Sequence, residues 1–353
     1  MPDEYTPVDS TSESLETALA MTQAGRYQEG RRPSVEAFTQ AVLSRSGIEH
    51  LGAHLEAAHC IRIAELKELD IGVFRVDRPS GPSLVARIFP WLRPVQQAVD
   101  DAELLRRLEA GGFPAERCAV ADPASVLDGQ PVLLTTFVPG EHARRGPRTL
   151  AMLGDLLARL AARPVRAPAL TRPAGSWHHL SPEGGGRRCD IEALSAYLGE
   201  REDLADTFER RALSAIREAV ERLDDGAGLP RAFIHPDLTP PNVLLTAGGP
   251  VVIDWTGAGI APRIFPLGYL LWVAGAGDAA LVDPVVAGYR RHVGLEGDEL
   301  ERLPDAIRAT SLVIEAWSVV VGRSRAADVA AQLAHRQAVA QVIADRARGQ
   351  FAR

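Results

Sequence analysis

Lysine and asparagine are almost missing from this chain of 353 residues: Lys67 is the one lysine among 39 lysines and arginines, and Asn242 is the one asparagine. Cysteine is scarce too, and Cys60, Cys118 and Cys189 lie far apart with no C-x-x-C and no zinc spacing. That excludes a disulfide framework and a cysteine-ligated zinc site. Free thiols in a reducing compartment are the simplest reading, so the expected location is the cytoplasm. No apolar run nears the length of a membrane span. The opening MPDEYTPVDSTSESLE is acidic and polar, unlike a secretory signal. A G-x-S-x-G elbow is absent, which argues against a hydrolase of that type. Excess positive charge is absent as well. The formal net charge is −7 and the pI about 5.8, so a nucleic-acid partner is not expected. A membrane partner is not expected either, and the oligomeric state stays open.

What is present is ordinary in bulk, with 46% hydrophobic and 24% charged residues. The length allows two or three packed units. The informative stretch runs from Phe233 to Trp255, FIHPDLTPPNVLLTAGGPVVIDW. Its apolar runs, Ala232–Ile234, Val243–Leu245 and Val251–Ile253, read as strands, with Gly-Gly-Pro turning between the last two. Between and after them stand His235, Asp237, Asn242 and Asp254. A carboxylate at Asp237 can accept a hydroxyl proton. The amide oxygen of Asn242 and the carboxylate of Asp254 are hard ligands that suit Mg²⁺. A base, an asparagine shortly after it and an aspartate at the end of a strand form the layout phosphoryl transfer needs. The other reading, a polar turn in an unrelated α/β protein, must explain why the only asparagine sits here.

The stretch resembles the aminoglycoside phosphotransferase and choline kinase-like family, relatives of protein kinases. That family carries H-G-D-x-x-x-x-N and then a strand ending in I-D-W or I-D-F. Here His235-Pro236-Asp237 is followed by Asn242, and Ile253-Asp254-Trp255 closes the pattern. The resemblance implies Asp237 as catalytic base, Asn242 and Asp254 as Mg²⁺ ligands, and His235 as a brace for the loop. It covers residues 35–325 as architecture, but its specific motifs occupy only 235–255.

The chain order agrees with that fold. Residues 1–33 read as a polar, mobile tail, with a weak helical pattern over Ser14–Arg26. Helices follow from Ser34, ending at Gly47, and over Ile48–Ala58. Strands are predicted at Cys60–Leu66, Ile71–Val76 and Leu84–Phe89, then a helix from Val95 to Gly111, then strands at Cys118–Val120 and Pro131–Val138. Later helices are predicted over Arg148–Ala162, Glu202–Asp224, Leu267–Ala276, Ala279–Val293, Glu299–Val321 and Ala326–Arg348. The expected class is α/β (α+β): a two-lobed protein kinase-like fold. Residues 34–138 would form a small nucleotide-binding lobe, a five-stranded β-sheet with one helix. Residues 139–353 would form a larger, mainly helical catalytic and substrate-binding lobe.

In kinases the third strand carries a lysine that pairs with a helix glutamate. Here Arg87 stands in that place and Glu103 is the candidate partner. Arg87 can equally be an ordinary strand arginine and Glu103 a solvated helix residue. Lys67, placed beside the turn between the first two strands, is a second candidate for phosphate contact or a plain turn lysine. Only Gly72 stands where protein kinases have a glycine-rich loop. By resemblance alone, the backbone of Thr136, Phe137 and Val138 would meet the adenine edge. Pro236 replaces the family's usual glycine, and Phe265-Pro266-Leu267-Gly268 stands where many relatives place a bracing aspartate. Trp177-His178-His179 lacks a third ligand at zinc spacing and reads as a surface or substrate loop. Trp272, Glu315 and Trp317 are candidates for the acceptor pocket, with Glu315 equally readable as a buried, paired carboxylate.

The implied reaction transfers the γ-phosphoryl group of ATP or GTP, with Mg²⁺, to a hydroxyl of a small molecule: an antibiotic, a sugar, an amino alcohol such as choline, or homoserine. The rival is a pseudokinase, a nucleotide- or protein-binding module that keeps the fold. Arg87, the thin loop and Pro236 favour the rival, and the intact Asp237, Asn242 and Asp254 set opposes it.

Overall fold

A computed structural model describes residues 34–43, 48–90, 93–163, 171–175 and 186–353. The tail, Gly47 and the Trp177-His178-His179 cluster lie outside the described residues. The chain divides into two compact units. One is built from Gln40–Gly112 and Glu116–Phe137, the other from Ser34–Thr39, Phe113–Ala115 and Val138–Arg353.

The first unit is one antiparallel sheet with helices. Its strands are β1 (Glu65–Asp70), β2 (Val73–Asp77), β3 (Leu84–Ile88), β4 (Ala124–Leu127) and β5 (Gln130–Thr136), in the order β1-β2-β3-β5-β4. Helix α1 spans Val35–Leu43, with Val35–Thr39 counted in the second unit; α2 spans Ile48–His59, and α3, Val95–Ala110, follows the third strand. Alternation on β2 and β3 puts Phe74, Val76, Leu84, Ala86 and Ile88 into a core with Leu51 and Leu55 of α2. The expected five-stranded sheet is therefore present, but two of its strands are displaced. The first is Glu65–Asp70, not Cys60–Leu66. ELKELD is almost wholly exposed and is held by backbone pairing to β2, so hydropathy could not mark it. The fourth is Ala124–Leu127. Cys118 makes only an isolated bridge to Thr135.

The second unit is mainly helical. Helix α4 spans Pro147–Ala161, α5 Arg187–Leu204 and α6 Thr207–Glu221. The helix expected over Glu202–Asp224 is thus two helices. Asp206 explains the break: its carboxylate caps α6 by accepting from the amides of Phe208 and Glu209. Strand β6 (Glu141–His142) pairs with β8 (Val243–Thr246), which pairs with β9 (Gly249–Val252). Strand β7 (Arg231–Ile234) pairs with β10 (Gly259–Pro262). Helices α7 (Ile264–Gly275), α8 (Val282–Tyr289), α9 (Gly297–Glu301), α10 (Leu303–Val320) and α11 (Ala326–Phe351) complete it. Helices α4 and α8 approach through glycines: a Cβ on Gly154 would lie 2.2 Å from the Val285 carbonyl, and one on Gly288 2.0 Å from that of Ala151. Among the described residues no helix is long and apolar enough to cross a membrane.

Candidate active site

Strand β7 delivers the chain to the site. Ala232, Phe233 and Ile234 are buried, and the chain leaves the sheet at His235-Pro236-Asp237. Proline has no N–H to donate, so the bracing falls on the histidine. His235 is fully buried. Its Nε2–H donates to the Ile253 carbonyl at 3.1 Å, and its Nδ1 accepts from the Asp237 amide at 3.2 Å. One partner only accepts and the other only donates, which assigns the Nε2–H tautomer. Burial lowers the pKa of this ring, against a smaller pull from Asp254, and keeps it neutral. Trp255 meets the ring edge-on at 4.9 Å and anchors its own Nε1–H on the Val252 carbonyl. The loop after β7 is thereby tied to the segment after β9.

Asp237 is oriented by its neighbours. The Thr239 hydroxyl donates to Oδ1 at 2.8 Å, and the Asn242 side-chain amide donates to the Asp237 carbonyl at 2.9 Å. Pro240–Asn242 forms a single 3₁₀ turn that sets this spacing. Burial pushes the Asp237 carboxyl up to about 6. The hydrogen bond from Thr239 works against that rise and the charge of Asp254 adds to it. Asp254 follows β9 with φ +60°, a left-handed conformation that aspartate tolerates better than most residues. Beyond it Gly257, at φ +88°, passes the Gly175 carbonyl so closely that a Cβ would lie 2.3 Å from it.

The donor set fits a hard divalent cation. Two carboxylates close enough to repel are what such an ion relieves, and Asn242, whose side-chain nitrogen bonds the Asp237 carbonyl, adds an amide oxygen to the set. Among the described residues no group of three His, Cys, Asp or Glu side chains gathers in this way. Phosphate and water oxygens would complete the coordination.

The first unit holds the remaining candidates. Arg87 lies on β3 opposite Val73 and Leu133, on the half-buried face. Glu103, its candidate partner, is on α3. It bonds Arg107 at 2.6 Å, one turn along its own helix, with Arg106 at 4.0 Å. The buried ion pair near this helix is instead Arg93–Asp101 at 2.5 Å, with Arg93 stacked on Phe89. Lys67 is not beside the turn. It sits within β1 opposite Arg75, exposed. The turn is Ile71-Gly72, with Gly72 at φ +69°. At the end of β5 the Thr136 amide donates to the Arg117 carbonyl and the Phe137 amide to the Ser83 carbonyl, so both are already engaged. Val138 begins the second unit.

Two groups escaped the sequence reading. Thr239 carried a signal, a hydroxyl two residues after an aspartate. Tyr269, on α7, has its phenol pushed up to about 12 by burial and by the charge of Asp237, which places it near that carboxylate. Tyr269 also lines a cavity of about 340 Å³ in the second unit, together with Arg145, Trp272, Ser311, Ile314 and Glu315. Trp272 and Glu315 are two of the three residues named from the sequence for an acceptor pocket. Trp317 is the third, but it is 1% exposed and packs against Phe38 and Tyr197 in the core. Its size and its place on the inner face of α10 outweigh its ring nitrogen.

Comparison with known proteins agrees with this geometry. A family model described as phosphotransferase enzyme family (APH) matches residues 26–303. No curated protein matches the chain by sequence. Among solved structures, an amicoumacin kinase in complex with AMP-PNP, Ca²⁺ and Ami is 16% identical, with 91% of this chain and 94% of that chain covered and a TM-score of 0.56. A microcompartment-associated aminopropanol kinase is 18% identical over 85% and 98% of the two chains, TM-score 0.53. Choline kinase LicA from Streptococcus pneumoniae is 10% identical over 82% and 98%, TM-score 0.56. At these identities the structural likeness is one of fold, the protein kinase-like one. The match across residues 26–303 makes this chain a member of the phosphotransferase enzyme family, a small-molecule kinase.

Proposed function

We propose that the protein moves the γ-phosphoryl group of ATP or GTP to a hydroxyl of a small molecule. The observation that carries this reading is the loop bearing Asp237 and Asn242, which His235 ties to the end of β9, where Asp254 follows with its charge felt at Asp237. Asp237 is the base. The hydroxyl of Thr239 holds Oδ1, and Oδ2 is left to accept the acceptor's proton as its oxygen attacks phosphorus. Asn242 and Asp254 are the residues that would hold Mg²⁺, which when bound offsets charge on the phosphates. Arg87 is the proposed phosphate anchor, its planar fork replacing an ammonium. Lys67, out on an exposed strand, is the second candidate. Glu103, the candidate partner of that anchor, also holds Arg107 on its own helix. The adenine edge would use the backbone carbonyls around Thr136 and Phe137 and the Val138 amide, since the other two amides are engaged.

The test is nucleotide consumption as a function of Mg²⁺. Asp254→Asn should lower kcat by about a hundredfold or more and raise the Mg²⁺ needed for half-maximal rate. Arg87→Ala should raise KM for the nucleotide. An unchanged Mg²⁺ dependence in Asp254→Asn contradicts the metal assignment.

A further inference from the structure

The cavity beside Tyr269 has a charge balance that selects among acceptors. It lies between α7 and α10, and Arg145, just before α4, closes it on one side. Its volume of about 340 Å³ is at the lower end for small-molecule sites. Trp272 and Ile314 supply apolar wall.

One carboxylate lines it, Glu315, and that charge is already met. Glu315 forms an ion pair with Arg336 of α11, whose guanidinium is nearly buried, also donates to Ser311 and stands over the Trp272 ring at 5.3 Å from its centroid. Arg336 therefore uses up both the negative group and one aromatic face on which a quaternary ammonium could sit. Arg145 is placed differently. It donates to the Ala274 carbonyl, and among the described residues no carboxylate lies within ion-pair distance of it. Two guanidinium groups against one carboxylate leave the wall with an excess of positive charge. A polycationic or quaternary ammonium acceptor would meet the Arg145 charge there and find no unpaired carboxylate among the lining residues.

From this we infer that the cavity takes an alcohol that bears a carboxylate and an apolar face, with the carboxylate on Arg145, the apolar face against Trp272 and Ile314, and the hydroxyl beside Tyr269. The inference rests on the kinase reading above only in naming this occupant the acceptor. Arginine suits the contact, since its fork matches a carboxylate in two parallel hydrogen bonds.

The test is calorimetric titration of the full chain with four probes: mandelate, an anionic aromatic alcohol; chloramphenicol, an uncharged one; kanamycin, a polycation; and choline. Mandelate should bind at least tenfold more tightly than kanamycin or choline. Arg145→Gln should weaken mandelate about tenfold or more and chloramphenicol far less. Arg145→Lys, which keeps the charge but loses the fork, should bind mandelate more tightly than Arg145→Gln and less tightly than the wild type, and unchanged melting temperatures would show that both variants fold. The inference is overturned if mandelate does not bind, if kanamycin or choline binds as tightly, or if Arg145→Gln leaves mandelate affinity unchanged. Mandelate binding without nucleotide consumption on any acceptor counts against the kinase reading alone. Consumption stimulated by a cation, without mandelate binding, counts against the cavity reading alone.

Discussion

Replacing Asp190 by asparagine should stabilise the protein, and by an amount that grows with pH. Asp190 lies on the first turn of α5, 6% exposed, and lines a small cavity with Arg187, Pro236 and Phe265 directly behind the catalytic loop. Burial pushes its carboxyl up to about 7 from an ordinary 3.8, and the charge of Arg187 pulls the other way without prevailing. Between pH 4 and pH 7 the unfolded chain releases this proton and the folded protein keeps it. The contribution is therefore fully present below about pH 4, falls as pH rises, and levels off above about pH 7. About 3 pH units at about 1.4 kcal/mol each give about 4 kcal/mol. Asparagine has the same shape and no charge to bury. The unfolding free energy of Asp190→Asn minus that of the wild type should be near zero at pH 4 and approach about 4 kcal/mol at pH 8. Urea unfolding followed by tryptophan fluorescence at several pH values reads it, and the subtraction removes other groups, Asp237 among them. A difference that stays constant with pH refutes the reasoning. So does a variant less stable than the wild type at pH 8, which would mean that Asp190 is ionised and partnered by Arg187.

Further outcomes follow from the packing and the loop. Gly288→Ala should lose about 2 kcal/mol or more of stability, because its Cβ would lie 2.0 Å from the Ala151 carbonyl where α4 and α8 touch; a shift of the urea midpoint measures it. Thr239→Ala should lower kcat about tenfold while leaving KM for the nucleotide unchanged, because the hydroxyl orients the Asp237 carboxylate; steady-state kinetics separates the two.

The residues explain what could be read from the sequence. His235, Asp237, Asn242 and Asp254 were legible because a few polar groups interrupted strong apolar runs, and the structure sets each of them on loops and strand ends as the runs implied. The sheet was legible where strands alternate, as on β2 and β3, and illegible at β1. There the backbone pairs but almost no side chain is buried, so Lys67 was placed a few residues too near the turn. The buried Arg93–Asp101 pair was not legible, because it joins a helix residue to an arginine that precedes the helix and only burial marks it. Tyr269 and the partner of Glu315, Arg336, could not be seen. They depend on helices that meet only in the folded chain, with Glu315 and Arg336 on α10 and α11.

The most direct test of the central claim is acceptor-stimulated release of ADP or GDP by wild type and Asp237→Asn, with Mg²⁺-nucleotide binding measured on both. The account predicts turnover on a hydroxyl-bearing small molecule in the wild type and a loss of several orders of magnitude in the variant, with nucleotide affinity retained. Equal turnover by the two proteins would contradict Asp237 as the base. Nucleotide binding without turnover in either, across all acceptor classes, would contradict the kinase itself.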